Sequence, residues 1–286
     1  MKPAIDHLVL CVSDLDRARA FYERLGFTLT PRAAHPFGTA NSLAQLRGSF
    51  LELLAVSDRE RIAAARQGEF SFGAFNADFL AKGEGMSMLV FQSDDARRDR
   101  AEFARCGLDT YEVLDFSRKA KLPDGGEAIV SFSLAFVTNP EMPEATFFTC
   151  QQHAPQYFWK PEYQRHRNQA KTIVEVTMIA PHRFFDFFGR LVGNAAVATE
   201  GSGLRVALDG SAILVLDPAE LRRRHGDIGF GRGAAGARFA GFAVAAEDLA
   251  VTEELLRDAK VPFDRSGGRL RIAPEHGFGA GIEFVG

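Results

Sequence analysis

Along the first 56 residues the apolar positions change their period in a fixed order. Residues 4–12, A-I-D-H-L-V-L-C-V, form an apolar run of strand length. In the next stretch, S-D-L-D-R-A-R-A-F-Y-E-R-L-G-F, Leu15, Ala18, Phe21 and Leu25 recur at helical spacing. Ser13 or Asp14 supplies the cap and Gly26 the stop. Strand patterns follow near 27–32, 41–47 and 49–56, so the unit reads β-α-β-β-β.

That order returns three times, and a repeat of this kind decides the fold class. The second copy opens at 86–92, continues into the helix S-D-D-A-R-R-D-R-A-E-F-A-R-C-G, and predicts strands near 109–116, 127–138 and 145–153. The third has a strand at 172–179, a helix over 181–192 and strands near 195–199, 204–208 and 212–217. In the fourth, a strand at 239–245 precedes the helix E-D-L-A-V-T-E-E-L-L-R-D-A-K, with strands near 261–265, 269–273 and 281–285. The expectation is an α+β protein of four β-α-β-β-β modules, paired into two curved-sheet domains at 1–155 and 171–286. An insertion at 57–84 predicts a helical stretch around Arg59–Arg66 beside F-S-F-G-A-F-N. An aromatic and basic connector, 156–170, holds the only tryptophan. Exposed aromatic rings need cover, so both segments read as lids or interface pieces.

Several polar residues interrupt these patterns. Alternation along the first strand sets Ile5, His7, Val9 and Cys11 against Leu8, Leu10 and Val12. With the helix packed on the leucine face, His7 points into a cavity. Glu52 breaks the apolar run F-L-E-L-L, and a carboxylate there is costly unless it meets a cation or strong donors. Imidazole and carboxylate on neighbouring strands are half of a mixed nitrogen and oxygen site suited to zinc, iron, manganese or nickel. In T-F-F-T-C-Q-Q-H, Thr149, Gln151 and His153 share a face. Gln151 or His153 offers a third ligand, or the stripe bonds a substrate or faces water. In the turn H-P-F-G-T-A-N-S-L, Gly38 permits a positive φ, and Thr39 and Asn41 close the turn or contact a carbonyl or carboxylate. His35 is a proton carrier or a turn brace. His166, between Arg165 and Arg167 and near Trp159, grips an acidic group or is solvated connector charge.

The stretches I-D-H-L-V-L-C-V-S-D-L-D-R-A-R-A-F-Y-E-R-L-G-F, H-P-F-G-T-A-N-S-L and F-L-E-L-L-A-V resemble the vicinal-oxygen-chelate superfamily, and within it the glyoxalase-like subgroup. The likeness is closest over 4–56, continues through 86–170 and is architectural beyond. It implies paired modules curved around a metal or ligand cavity, with His7 and Glu52 as first-module metal ligands. The superfamily includes glyoxalases, extradiol dioxygenases, epimerases, thiol transferases and metal-free binding proteins, so the site must choose among them. Counting back from the shared helix start sets Ser87 opposite His7, and serine is a poor ligand. In the C-terminal half the matching positions read Val174 and Gly241, and Glu283 alone repeats Glu52, as a lone edge or interface carboxylate. A two-histidine iron site of the extradiol type is therefore not expected there.

Composition narrows the partners. The 286 residues carry a formal net charge of -3, which gives no global field for nucleic acid or an anionic membrane. Three scattered cysteines, Cys11, Cys106 and Cys150, argue against a disulfide framework. With no h-region at the N-terminus and no apolar run of membrane-spanning length, a soluble cytoplasmic protein is expected, as monomer or homodimer. Twenty-six phenylalanines against four tyrosines suggest aromatic walls without polar tips. The glycine-rich run 229–236 reads as a loop and the basic face 221–225 as too small for nucleic acid. Two functions follow. One is a lyase or isomerase in which His7 and Glu52 hold a divalent metal against adjacent substrate oxygens, with Glu52, a displaced metal water or His153 moving the proton. The other is a metal-free protein that sequesters an aromatic or amphipathic small molecule.

Overall fold

A computed structural model describes residues 2–122, 125–180, 184–225 and 236–286. The first module runs β1 (Ile5–Cys11), α1 (Leu15–Arg24), β2 (Ala33–Ala34), β3 (Thr39–Gln45) and β4 (Phe50–Val56). The Asp14 carboxylate caps α1 by accepting from the amides of Asp16 and Arg17. Residues 27–32 are not a strand, and the edge shortens to the two residues of β2. The insertion forms α2 (Phe72–Lys82), not a helix over 59–66, where only a single 3₁₀ turn at Arg59–Arg61 occurs. The reason is capping: the Ser71 hydroxyl accepts from the Ala74 amide and starts the helix inside F-S-F-G-A-F-N.

The second module comprises β5 (Gly85–Ser93), α3 (Ala96–Arg105), β6 (Asp109–Thr110), β7 (Leu114–Lys121), β8 (Glu127–Thr138) and β9 (Thr146–Gln152). The connector contributes α4 (Pro155–Phe158). Beyond it lie β10 (Ala170–Ile179), α5 (Phe185–Val192), β11 (Val197–Glu200), β12 (Gly203–Ala207), β13 (Ala212–Leu216) and α6 (Pro218–His225). The last module is β14 (Arg238–Ala246), α7 (Leu249–Asp258), β15 (Asp264–Ser266), β16 (Arg269–Ile272) and β17 (Gly281–Val285). The glycine-rich run falls outside the described residues except for Gly236, as does the start of the helix expected from 181.

Two curved sheets result, one from each half of the chain. The first has the order β2-β3-β4-β1-β5-β9-β8-β6 with β7 on β8, and the second β11-β12-β13-β10-β14-β17-β16-β15. In each, the opening strands of two modules meet antiparallel at the centre, β1 on β5 and β10 on β14, while each runs parallel to the last strand of its own module. The protein is therefore α+β with paired modules.

The largest apolar core belongs to both halves. It joins Leu8, Leu10, Phe21 and Phe147 to Val176, Phe187, Phe239 and Phe284. Phe147 on β9 lies 5.5 Å from both Phe187 and Phe239, ring centre to ring centre. Asn168 in the connector ties the halves by donating to the Leu25 carbonyl at 2.8 Å and accepting from the Thr252 hydroxyl at 2.8 Å through its own carbonyl. The halves are thus separate as sheets but continuous as a hydrophobic interior. A second cluster, built on Val9, Cys11, Phe50, Met88, Phe136 and Phe148, lines the other face of the first sheet.

Candidate functional site

Opposite faces of β1 serve these two clusters, but the alternation is not regular. Pairing of β1 with β5 slips between Ile5 and His7, and the slip turns Ile5 into the shared core while His7 enters the second cluster's cavity. The same irregularity lets the adjacent residue, Asp6, reach His7: His7 Nδ1–H donates to Asp6 Oδ1 at 2.5 Å, and Gln152 donates to Asp6 Oδ2 at 2.8 Å. All of this is buried, with Asp6 3% and His7 5% exposed.

His7 stacks on Phe50 at 4.3 Å, and its Nε2 faces Glu52 Oε2 at 3.6 Å. Glu52 Oε1 accepts from Asn41 Nδ2 at 2.6 Å and lies 3.8 Å from His35 Nε2. The ring of His35 is held by the Thr39 hydroxyl, 2.8 Å from Nδ1, and by the Asn41 amide, 3.2 Å from Nε2. That pattern makes Nδ1 the protonated nitrogen. Burial, followed by the positive field of Arg118 and the nearby His7, pushes the His35 pKa down to about 3, so the ring is neutral at ordinary pH. Strand pairing explains the convergence: Asn41 sits opposite Leu54 on β3–β4 and Glu52 opposite Val9 on β1–β4, which puts neighbouring strands' polar residues over one concave face.

The walls are aromatic. Phe37, Phe50, Phe72, Phe116, Phe132, Phe148 and Phe158 enclose a cavity of about 40 Å³, enough for a few waters as it stands. Phe72 comes from the insertion and Phe158 from the connector, so both segments do reach the cavity. Gln45 seats the connector by donating to the Phe158 carbonyl at 2.7 Å and accepting from the Lys160 amide at 3.1 Å. Trp159 packs on Phe50 and Phe158.

Other expected site residues lie elsewhere. Gln151 braces the start of α3, donating to the Asp94 carbonyl at 2.8 Å and accepting from the Ala96 amide at 3.3 Å, so it is not brought to His7 and Glu52. His153 is exposed beyond β9 and pairs with the Ser133 hydroxyl at 2.8 Å. On β9 the cavity face belongs to Phe148 and Cys150, the other parity from Thr149, Gln151 and His153. His166 is a buried pin: its Nδ1 accepts from the Thr28 amide at 3.0 Å and its Nε2 donates to the Gln45 carbonyl at 2.7 Å. It grips backbone, not an acidic group.

Arg118, Asp6 and Cys150 carry weight that the sequence pattern did not single out. Arg118 shares one face of β7 with Leu114, Phe116 and Ala120 at period two, which is the signal that marks it as inward-facing. Its guanidinium lies over Phe132, 5.9 Å from the ring centre. Asp6 leaves no such trace, because strand alternation assigns it to the opposite face from His7. Burial, with the carboxylates of Asp6 and Glu52 nearby, raises the Cys150 thiol well above its usual range and keeps it protonated.

Pairing also corrects the matches between modules. Leu8 faces Leu89 at the centre of the first sheet, and the helix caps Asp14 and Asp95 are the same 81 residues apart as Leu8 and Leu89. His7 thus corresponds to Met88 rather than Ser87, whose hydroxyl donates to Asn76 Oδ1 at 2.8 Å. By the same rule, Val9 opposite Glu52 corresponds to Val90 opposite Phe148. In the second sheet Val176 faces Phe242 at the centre, which places Glu175, not Val174, at the position of His7. Glu283 does repeat Glu52, facing Ala243 as Glu52 faces Val9. It is not a lone carboxylate: it accepts from Arg269 at 2.6 Å and lies 3.2 Å from Arg271, and Arg269 also bonds Glu175 at 3.0 Å. That concave face is closed by ion pairs.

A divalent metal needs several donors aimed at one point. Here His7 and His35 bracket different oxygens of Glu52, and the Asn41 amide, a hydrogen-bond donor, occupies Oε1 and faces His35 Nε2. Met88 and Phe148 stand where the second module would supply ligands, and Arg118 already places a cation in the same cavity. Among the described residues no three His, Cys, Asp or Glu gather as a metal-holding group. The side chains present do not fit a divalent ion. None of the three cysteines is in a disulfide, and no helix among the described residues is long and apolar enough to cross a membrane.

Comparison with known proteins gives the setting. No curated protein matches the sequence. Among solved structures, a hypothetical protein from Staphylococcus aureus aligns over 99% of both chains with TM-score 0.63 and 12% identity. A triple mutant of 4-hydroxymandelate synthase from Streptomyces coelicolor aligns over 99% of this chain and 92% of its own, with TM-score 0.59 and 13% identity. A xylose isomerase-like TIM barrel/4-hydroxyphenylpyruvate dioxygenase fusion protein covers 99% of this chain with 48% of its own, at TM-score 0.56 and 10% identity. At such identities the likeness is one of fold. A family profile described as a glyoxalase-like domain matches residues 5–185, which takes in the whole first sheet and every residue of the cavity. On that match and the paired-module fold, the chain belongs to the glyoxalase-like domain family of the vicinal-oxygen-chelate fold.

Proposed function

We propose that the concave face of the first sheet is a small-molecule site that works without a bound divalent metal. An aromatic or amphipathic ligand lies against the phenyl rings, and the Asp6–His7–Glu52 chain binds a polar oxygen of the ligand and can take up or return a proton there. The supporting observation is the placement of Glu52, an acidic side chain only 5% exposed, between two imidazoles and an amide in a cavity walled mostly by phenyl rings. With His7 Nδ1–H donating to Asp6, His7 Nε2 and Glu52 Oε2 face each other at 3.6 Å, too far for a direct bond and spaced to take a ligand oxygen between them. Asp6 orients the ring, the part a buried carboxylate plays beside a working histidine. His35, held neutral by burial, stays a fixed polar wall rather than a proton store at physiological pH.

The metal-dependent lyase or isomerase reading rests on the same His7 and Glu52 and predicts the opposite response to metal. Protein purified without chelator and analysed for zinc, iron, manganese and nickel should contain no stoichiometric metal, and its melting temperature should not respond to those ions. Titration with 3-phenylpropanamide, followed by the fluorescence of Trp159, should saturate at one equivalent per chain. Glu52→Gln should weaken that binding by about tenfold and Glu283→Gln by no more than about threefold, or ~0.7 kcal/mol. Metal-linked stabilisation that disappears in Glu52→Gln would establish the metal-dependent reading instead.

A further inference from the structure

Beside the aromatic cavity lies a second hollow of about 250 Å³, and three residues, Leu43, Arg118 and Phe158, line both. The two differ in character. The inner cavity is walled by phenyl rings, whereas the outer hollow is lined by Arg32, Arg118, Lys119, Lys121 and Lys160, with Glu127 as the one carboxylate among the described residues. Among the described residues Glu127 pairs with Lys119 at 2.8 Å and Arg32 lies 3.9 Å from Asp16, which leaves Arg118, Lys121 and Lys160 as the hollow's other cations.

Arg118 stands at the junction. Its Nε is fully buried and has no hydrogen-bond partner among the described residues, and its Nη1 makes a long bond, 3.4 Å, to the Lys119 carbonyl. Burying a guanidinium with unused donors costs stability, and the cost is recovered when an anion takes the donors. A planar guanidinium placed over the Phe132 ring offers a two-pronged edge that matches a carboxylate.

Resting on the small-molecule reading above, we infer that the ligand is an organic acid: an apolar ring in the inner cavity, which widens from its present volume of about 40 Å³ to admit it, joined by a short chain to a carboxylate that Arg118 receives at the junction and the outer basic hollow helps attract. Arg118 is then the residue that decides acid against neutral ligand, while Glu52 and His7 serve the opposite, inner end of the molecule. Glu52 lines the same cavity and also attracts Arg118, so the ligand's carboxylate shares the guanidinium with that side chain.

The test compares 3-phenylpropionate with 3-phenylpropanamide, nearly equal in shape, on the full chain by Trp159 fluorescence and calorimetry. The wild type should bind the acid at least about tenfold more tightly than the amide, with the preference shrinking as salt rises. Arg118→Gln should bring the ratio to about one, and Arg118→Lys should restore part of it. Equal affinities in the wild type, or a preference that survives Arg118→Gln, would overturn this inference and leave the small-molecule reading standing. If neither compound binds, the small-molecule reading falls and takes the inference with it.

Discussion

His35 illustrates how one side chain's surroundings set a property of the whole protein. It is packed against Phe37, faces Glu52 at 3.8 Å, and feels the positive fields of Arg118 and His7, with desolvation the largest influence on its pKa. Above about pH 6.5 the ring is neutral in both folded and unfolded chains and stability is indifferent to it. Below that, the unfolded chain binds a proton that the folded chain refuses until about pH 3, so stability falls as pH falls through this window. The slope it adds is at most about 1.4 kcal/mol per pH unit. His166, whose pKa is also lowered by burial, acts in the same direction. Urea denaturation at pH 7, 5.5 and 4.5 should show this loss, and His35→Gln should flatten it. An unchanged slope in the variant would place the acid sensitivity elsewhere.

At the scale of elements, the turn between β2 and β3 holds the site's register. Gly38 has φ +83°, and its carbonyl accepts from the amides of both Ser57 and Asp58, tying the turn to the end of β4. A Cβ at this position would lie 2.4 Å from the Asp58 carbonyl oxygen, so the residue must be glycine for two separate reasons. Thr39 and Asn41 follow directly, and they are the residues that hold His35 and Glu52. Gly38→Ala should cost about 1–3 kcal/mol in urea unfolding and weaken ligand binding together with stability. A variant with full stability and full binding would show that the turn has slack enough to take a side chain. The connector plays a comparable part from the other side, since Gln45 and His166 fix its backbone while Phe158 closes the cavity.

For the whole molecule, the shared core matters more than the division into sheets. Phe147 belongs to the first sheet yet packs on Phe187, Phe188 and Phe239 of the second half. Truncating it leaves a cavity lined by both halves, at a cost of about 3–5 kcal/mol for Phe147→Ala. Circular dichroism, which samples both sheets, and Trp159 fluorescence, which reports on the first, should give one coincident unfolding transition in wild type and variant. Two separated transitions would show that the halves fold independently. The closure of the second concave face by Arg269, Arg271, Glu175 and Glu283 leaves the aromatic cavity to the first sheet.

The four modules, their strand and helix order and the paired arrangement were legible in the sequence because they rest on local periodicity and capping: Asp14, Asp95 and Asp248 each cap a helix at the equivalent place. So too were the inward placing of His7 and the oddity of Glu52, since both contradict the apolar pattern around them. What periodicity cannot carry is a break in itself. The slip between Ile5 and His7, which sends Ile5 to one core and brings Asp6 to His7, depends on how β1 pairs with β5 across some 80 intervening residues. The same holds for Gln151 and His153, which share a strand face on paper but lie outside the cavity because β9 presents Phe148 and Cys150 to it. Arg118 joins the site only because β7 pairs with β8 and presents the face of Leu114, Phe116, Arg118 and Ala120 inward. Sequence determined the elements and their repeat; tertiary pairing decided which polar groups meet, because register between distant strands is set by the packing of the whole sheet and not by any one segment.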